Sequence, residues 1–221
     1  LMVFPAPPNQ SVPMGLLDKF SCSSSPRRLP VIFCGHPVLR EKAKRVEEVT
    51  PGVRELAARM VVTMYENEVR GVGLAAPQVA RRLRLVVIDT SDPENPPAST
   101  ASPGEIVLEP RMPLVLVNPE ILSSSQDQSV VSEGCLSVPE ISGDVERPVS
   151  VILKSDTLDG ETIQVECGGL LARCLQHEID HLDGVLFVDR MVPEDRKSIE
   201  AELSALERKV KQSLPRSLRG K

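Results

Sequence analysis

Between residues 50 and 65 the apolar side chains recur at Val53, Leu56, Ala57, Met60, Val61 and Met64. Those steps of three and four predict a helix with one buried face. Thr50 suits its cap and Pro51 its first position, and Gly71 is read as its stop. The period then changes. Short apolar runs at Leu83 to Ile88, Leu114 to Val117, Val149 to Leu153 and Thr162 to Val165 read as strands. Asp159-Gly160 joins the last two as a hairpin. Ser91 to Pro110, rich in Pro, Ser and Glu, reads as a long surface loop or insertion. After Gly168-Gly169 the helical spacing returns, with Leu170, Leu171, Cys174, Leu175 and Ile179 as a buried face. A last helix is expected from about Pro193 to Gln212. Its seam of Ile199, Leu203, Leu206 and Val210 suits either its own domain, the first expectation, or a partner helix.

Residues 1–28 show little periodicity and are expected to form a poorly ordered extension. Met14 is a candidate natural start within it. The serine run with Arg27 and Arg28 weakly suggests a transit peptide, which Asp18 opposes, and a secretory signal is not expected.

A length of 221 residues suits one domain with a full core. The net charge of -5, with no basic block in the body, argues against direct binding to DNA. No apolar run approaches the roughly 20 residues that span a bilayer, so no membrane partner is expected. The five cysteines are odd in number and scattered, which favours a reducing compartment over a disulfide framework. With no tryptophan and one tyrosine, base-stacking platforms are not expected and the core must be aliphatic.

The candidate chemistry lies in Gln176-His177-Glu178-Ile179-Asp180-His181. Four helical residues turn through about 400°, so the rings of His177 and His181 leave the same face and can share one divalent metal. Glu178 then stands beside any water the metal carries. Leu175, Ile179 and Leu182 bracket the histidines, which opposes the bland alternative of a solvated helix face. The chain has three histidines, so a further ligand must be His36, a cysteine or a carboxylate. In Glu133-Gly134-Cys135-Leu136-Ser137, small and polar neighbours suit Cys135 to an exposed or liganding thiolate, against an inert thiol near a strand end. In Gly71-Val72-Gly73-Leu74-Ala75-Ala76-Pro77-Gln78, the glycines permit close backbone approach, or merely a turn after a helix. As a phosphate loop the segment fails, having no Lys-Ser/Thr and no expected strand before it.

Taken together and in order, GVGLAAPQ, EGCLS and QHEIDH resemble the peptide deformylase family. The likeness covers most of residues 29–192, including Gly35-His36-Pro37-Val38-Leu39-Arg40 and Gly184-Val185-Leu186-Phe187. It implies an α+β fold, with mixed or antiparallel β-sheets packed around a central metal-binding helix and a C-terminal helix. The catalytic domain would span 29–192, with a C-terminal helix and tail over 193–221.

The resemblance further implies that Cys135, His177 and His181 bind one divalent metal, Fe2+ first, with Zn2+, Ni2+ or Co2+ able to substitute. Glu178 would move the proton of a metal-polarised water to the departing amine. The backbone N–H of Leu136 and the amide of Gln78 would meet the oxyanion. Substrates would be nascent N-formylmethionyl peptides, and the products formate and a free N-terminus. The peptide would lie as an added strand beside Val72 and Gly73, its methionine side chain against Val72, Leu136, Leu170, Cys174 and His177. Pairing of Glu133 with Arg147 is expected under the site. The ribosome is a further expected contact. The expected location is the bacterial cytoplasm, with mitochondrion or plastid as the alternative. Two departures stand out: Ser142 occupies a position where many bacterial members carry an Arg, and the 91–110 insertion is long. Rival readings are an HExxH endopeptidase, drawing a ligand from Glu194, Glu200 or Glu202, and a non-catalytic protein with a structural metal. The latter leaves Glu178 and Gln78 without purpose.

Overall fold

A computed structural model describes residues 4–5, 26–67, 69–92 and 101–218. The extension expected over 1–28 therefore falls, but for 4–5 and 26–28, outside the described residues. Helix α1 (Pro51–Tyr65) starts as its sequence predicts: Thr50 Oγ1 accepts the amide of Val53 at 3.4 Å. It ends at Tyr65 and not at Gly71, because strand β2 (Val69–Arg70) intervenes, paired antiparallel with β1 (Phe4–Pro5). Gly71 serves close approach instead, since a Cβ there would lie 3.1 Å from the Gly73 carbonyl oxygen and from Leu136.

The main sheet has five antiparallel strands in the order β3 (Gly73–Ala75), β4 (Leu85–Ile88), β5 (Leu114–Ser124), β8 (Val151–Asp156) and β9 (Thr162–Cys167). The glycine-rich segment thus contains a strand, β3, and β2 precedes it, contrary to expectation. All four residues of β4 are buried, and their alternation explains why: Leu85 and Val87 pack with α1, whereas Val86 and Ile88 pack on the opposite face. That opposite face receives α3 (Gly169–Leu182) through Leu171, Leu175 and Leu182. Burying each of these leucines fully stabilises by about 1.5–3 kcal/mol. The histidine helix is therefore clamped on the sheet, not solvated. The expected hairpin between β8 and β9 is present, with Gly160 at a φ of 82° and the Thr157 amide donating to Glu161 O at 2.8 Å.

A separate two-stranded sheet is formed by β6 (Gln128–Cys135) and β7 (Val138–Pro148), neither of which the apolar runs had indicated. Within the expected loop 91–110, helix α2 (Pro103–Leu108) carries a capping box, and residues 93–100 lie outside the described residues. Ser102 Oγ accepts from Glu105 N at 3.3 Å, while Glu105 Oε2 accepts from Ser102 N at 2.8 Å. The last helix divides at Ile199 into α4 (Pro193–Ser198) and α5 (Glu200–Ser213). Ile199 and Leu203 are buried with Ile141, Val145 and Phe187, so the seam serves its own domain. Gly35, at a φ of 106°, packs so tightly on α5 that a Cβ would lie 2.8 Å from Glu207 O.

Candidate metal centre

His177 and His181 leave the same face of α3, with ring centroids 5.0 Å apart and planes inclined at 73°. Cys135 ends β6 where the hairpin register shifts between Gly134 and Cys135, an irregularity of the kind that re-aims a side chain. Its Sγ lies 3.3 Å from His181 Nε2. The ligating atoms of Cys135, His177 and His181 all fall within 4.8 Å of one another, the one such cluster found among the described residues. Neither His36 nor a glutamate of α4 or α5 joins it. His36 caps a short 3-10 turn, Pro37–Arg40, where its Nδ1 accepts the amide of Val38 at 3.2 Å.

The donor set fits a divalent ion. Burial lowers the His177 pKa to about 3 and moves that of His181 well below the usual imidazole range, so both rings are neutral bases. Cys135 is buried, contrary to the exposed-thiolate alternative, and burial pushes its thiol up to about 12. Two donors nevertheless point at Sγ: Ser137 N at 3.4 Å and Gln78 Nε2 at 3.4 Å. A cation held there would supply the remaining charge that lets such a thiol ionise.

Around the ligands is a buried ionic lattice. Glu133 Oε2 lies 2.9 Å from His177 Nδ1, which leaves Nε2 of that ring for the centre. Arg147, as expected, pairs with Glu133, through Nε at 2.7 Å and Nη2 at 3.0 Å. Burial opposes the charge on Glu133, but hydrogen bonds from His177 and Arg147 outweigh it and hold the carboxyl well below its usual range. Arg147 also donates to Asp180 at 2.8 Å, and Asp180 accepts from Arg190 at 2.6 Å. Sequence reasoning passed over Arg173, Asp180 and Arg190. The signal for Arg173 was present: an arginine between Ala172 and Cys174 on a buried helix demands a partner.

Glu178 is buried beside the cluster, and burial raises its pKa to about 8. Its Oε2 has no hydrogen-bond partner among the described residues. Gly73 passes so near that a Cβ would lie 2.5 Å from Glu178 Oε1. Gln78 sits in the 3-10 turn Ala76–Val79 that follows β3; its Oε1 accepts Ala75 N at 2.8 Å and its Nε2 also reaches Ser137 Oγ at 3.3 Å. Val72 is buried, its carbonyl accepting Asp89 N at 2.8 Å and the Cys174 thiol at 3.5 Å. Leu136 and Cys174 are buried and Leu170, in the first turn of α3, is half-buried. Ser142 is exposed on β7, opposite Gly134.

Comparison with known proteins bears on this arrangement. A family model described as polypeptide deformylase matches residues 29–197. Peptide deformylase 2 of Gloeobacter violaceus is 48% identical over 163 residues, 74% of this chain and 79% of that protein. The crystal structure of a peptide deformylase from Synechococcus elongatus, in complex with actinonin, is 37% identical with a TM-score of 0.66, covering 83% of this chain and 88% of that one. A plant peptide deformylase structure reaches a TM-score of 0.70 at 35% identity, covering 88% of this chain and 97% of that one. The chain thus belongs to the polypeptide deformylase family, metal-dependent hydrolases that remove the N-formyl group from nascent peptides.

Proposed function

We propose that Cys135, His177 and His181 hold the metal of this deformylase and that Glu178 is its proton carrier. The observation that carries the reading is the convergence of those three ligand atoms within 4.8 Å, with a buried, unpartnered Glu178 oxygen beside them. When bound, a divalent ion supplies Lewis acidity toward water and the formyl oxygen. Fe2+ is the proposed native ion, with Zn2+, Ni2+ or Co2+ as substitutes.

Glu178 takes a proton from the attacking water and returns it to the departing amine, so that water and the formamide become formate and a free N-terminus. A carboxyl raised to about 8 by burial suits a group that both accepts and donates near neutral pH. Leu136 N–H and Gln78 Nε2 meet the charge developing on the formyl oxygen; losing one such donor typically costs about 10²–10³ in rate. Strand β3 is at one end of the sheet order, and among the described residues no strand pairs with its outer edge, which suits strand addition by a peptide along Val72 and Gly73. The methionine side chain then rests on Val72, Leu136, Leu170 and Cys174.

Nascent formylated chains are made in the bacterial cytoplasm, the location proposed here, and in mitochondria and plastids, which are the alternative. The bacterial relatives support the first. No helix among the described residues is long and apolar enough to cross a membrane. Ribosome contact belongs to the same reading. Formate release from formyl-Met-Ala-Ser by iron-loaded protein, prepared anaerobically, tests it. Release supports the assignment, and its absence in every metal form overturns it.

A further inference from the structure

Arg173 stands one helical turn before His177 on α3 and is 7% exposed. A buried guanidinium is costly unless its donors are met by well-placed acceptors. Here Nη1 donates to Glu133 Oε1 at 2.7 Å and to Val145 O at 3.1 Å, and Nη2 donates to Ser129 O at 2.8 Å and to Ser129 Oγ at 2.9 Å. Ser129 and Glu133 lie on β6 and Val145 on β7. One helix side chain therefore grips both strands of the hairpin that carries Cys135. It also grips the carboxylate that meets His177 Nδ1.

We propose that Arg173 is a positioning residue for the metal centre: it sets the Cys135 hairpin against the histidine helix and holds Glu133 on His177. The brace is matched by Arg147 on β7, which runs the other way, donating both to Glu133 on β6 and directly to Asp180 on α3. Arg173 acts through Glu133 and the hairpin backbone, since none of its hydrogen bonds reaches a ligand residue. A lysine keeps the charge but lacks the planar fork needed to serve Glu133, Val145 and Ser129 together. The inference rests on the ligand set proposed above.

The test uses full-length protein stripped of metal, with zinc dissociation constants from chelator competition and visible spectra of the cobalt form. Melting temperatures are recorded alongside. Arg173→Met is expected to weaken zinc binding about 10–100-fold and Arg173→Lys about tenfold, as for other groups that orient metal ligands. Both should also alter the cobalt bands. Combining Arg173→Met with Glu133→Gln should weaken zinc by less than the product of the two single losses, because part of what Arg173 does runs through Glu133. Folded variants that bind zinc within about twofold of wild type, with unaltered cobalt bands, overturn the inference whatever their melting temperature. So do fully additive losses in the double variant. If Arg173→Met fails to fold, Arg173→Lys decides by the same criteria. A wild-type chain that takes up neither zinc nor cobalt instead refutes the ligand set itself.

Discussion

Gly73 and Glu178 meet as backbone and carboxylate: a Cβ on Gly73 would lie 2.5 Å from Oε1 and 2.9 Å from both Cδ and Cγ of Glu178. The glycine is thus a steric requirement of the proposed acid–base group, not merely a turn. Gly73→Ala must push Glu178 aside, and a displacement on the order of 1 Å costs about 10²-fold in rate. We expect turnover to fall by about that factor while zinc affinity stays near the wild-type value, because the three atoms nearest the new methyl all belong to Glu178 and none to a proposed ligand. Steady-state kinetics paired with metal analysis checks this; near-normal turnover would show that Glu178 has slack.

Metal capture should be proton-linked. In the metal-free protein, burial holds the Cys135 thiol at about 12 and the Glu178 carboxyl at about 8, while the buried histidines are already neutral. Binding to the proposed ligands must expel the proton of Cys135, and the positive charge of the ion beside Glu178 draws off the carboxyl proton below about 8. Affinity therefore rises with pH, about tenfold per unit for each proton released. The logarithm of zinc affinity is expected to climb with a slope of about two in wild type and about one in Glu178→Gln. Chelator competition across neutral pH measures both slopes, and a flat wild-type line would contradict the assignment of Cys135 as a ligand.

Ser102 ties the 91–110 segment to the start of the histidine helix. Its hydroxyl accepts Glu105 N at 3.3 Å within α2 and Gly168 N at 2.8 Å, just before α3, whose own cap offers no side chain. Ser102→Ala loses both bonds, along with the one the hydroxyl donates to Glu105 Oε2 at 2.7 Å, and should lower stability by about 1–2 kcal/mol. In a chain of this size that is a melting shift of a few degrees, about 2–4 °C per kcal/mol. Ser102→Thr should recover most of it. An unchanged melting temperature in the alanine variant would mean that α2 contributes nothing to holding α3.

The histidine helix, α1 and the strand pair β8–β9 were legible because each buries one face or joins through a tight turn, and burial writes a period into the residues. The hairpin β6–β7 was not. Val130 and Val131 are followed by Ser132, Glu133 and Gly134, and β7 contains Pro139, Ser142 and Gly143. Its interior is held by charge as well as by apolar contact, with Glu133, Arg147 and Arg173 all buried. Hydrophobic patterning cannot register such a core. Helix α2 was hidden by Ser102, Pro103 and Gly104, residues that read as loop but cap and dock a helix here. At the centre, ligand types and spacing were visible along the chain. The meeting of Cys135 with His181 at 3.3 Å depends on a register shift in a hairpin that the apolar pattern did not show.

The central claim is that Glu178 carries the proton while Cys135, His177 and His181 hold the metal without it. The most direct measurement is formate release per bound metal ion in Glu178→Gln against wild type, each loaded with the same metal and assayed on formyl-Met-Ala-Ser. The account predicts full metal occupancy with release lowered by about 10²–10⁴-fold, the range expected for a lost general acid–base group. A metal-replete Glu178→Gln enzyme turning over within about tenfold of wild type would contradict it.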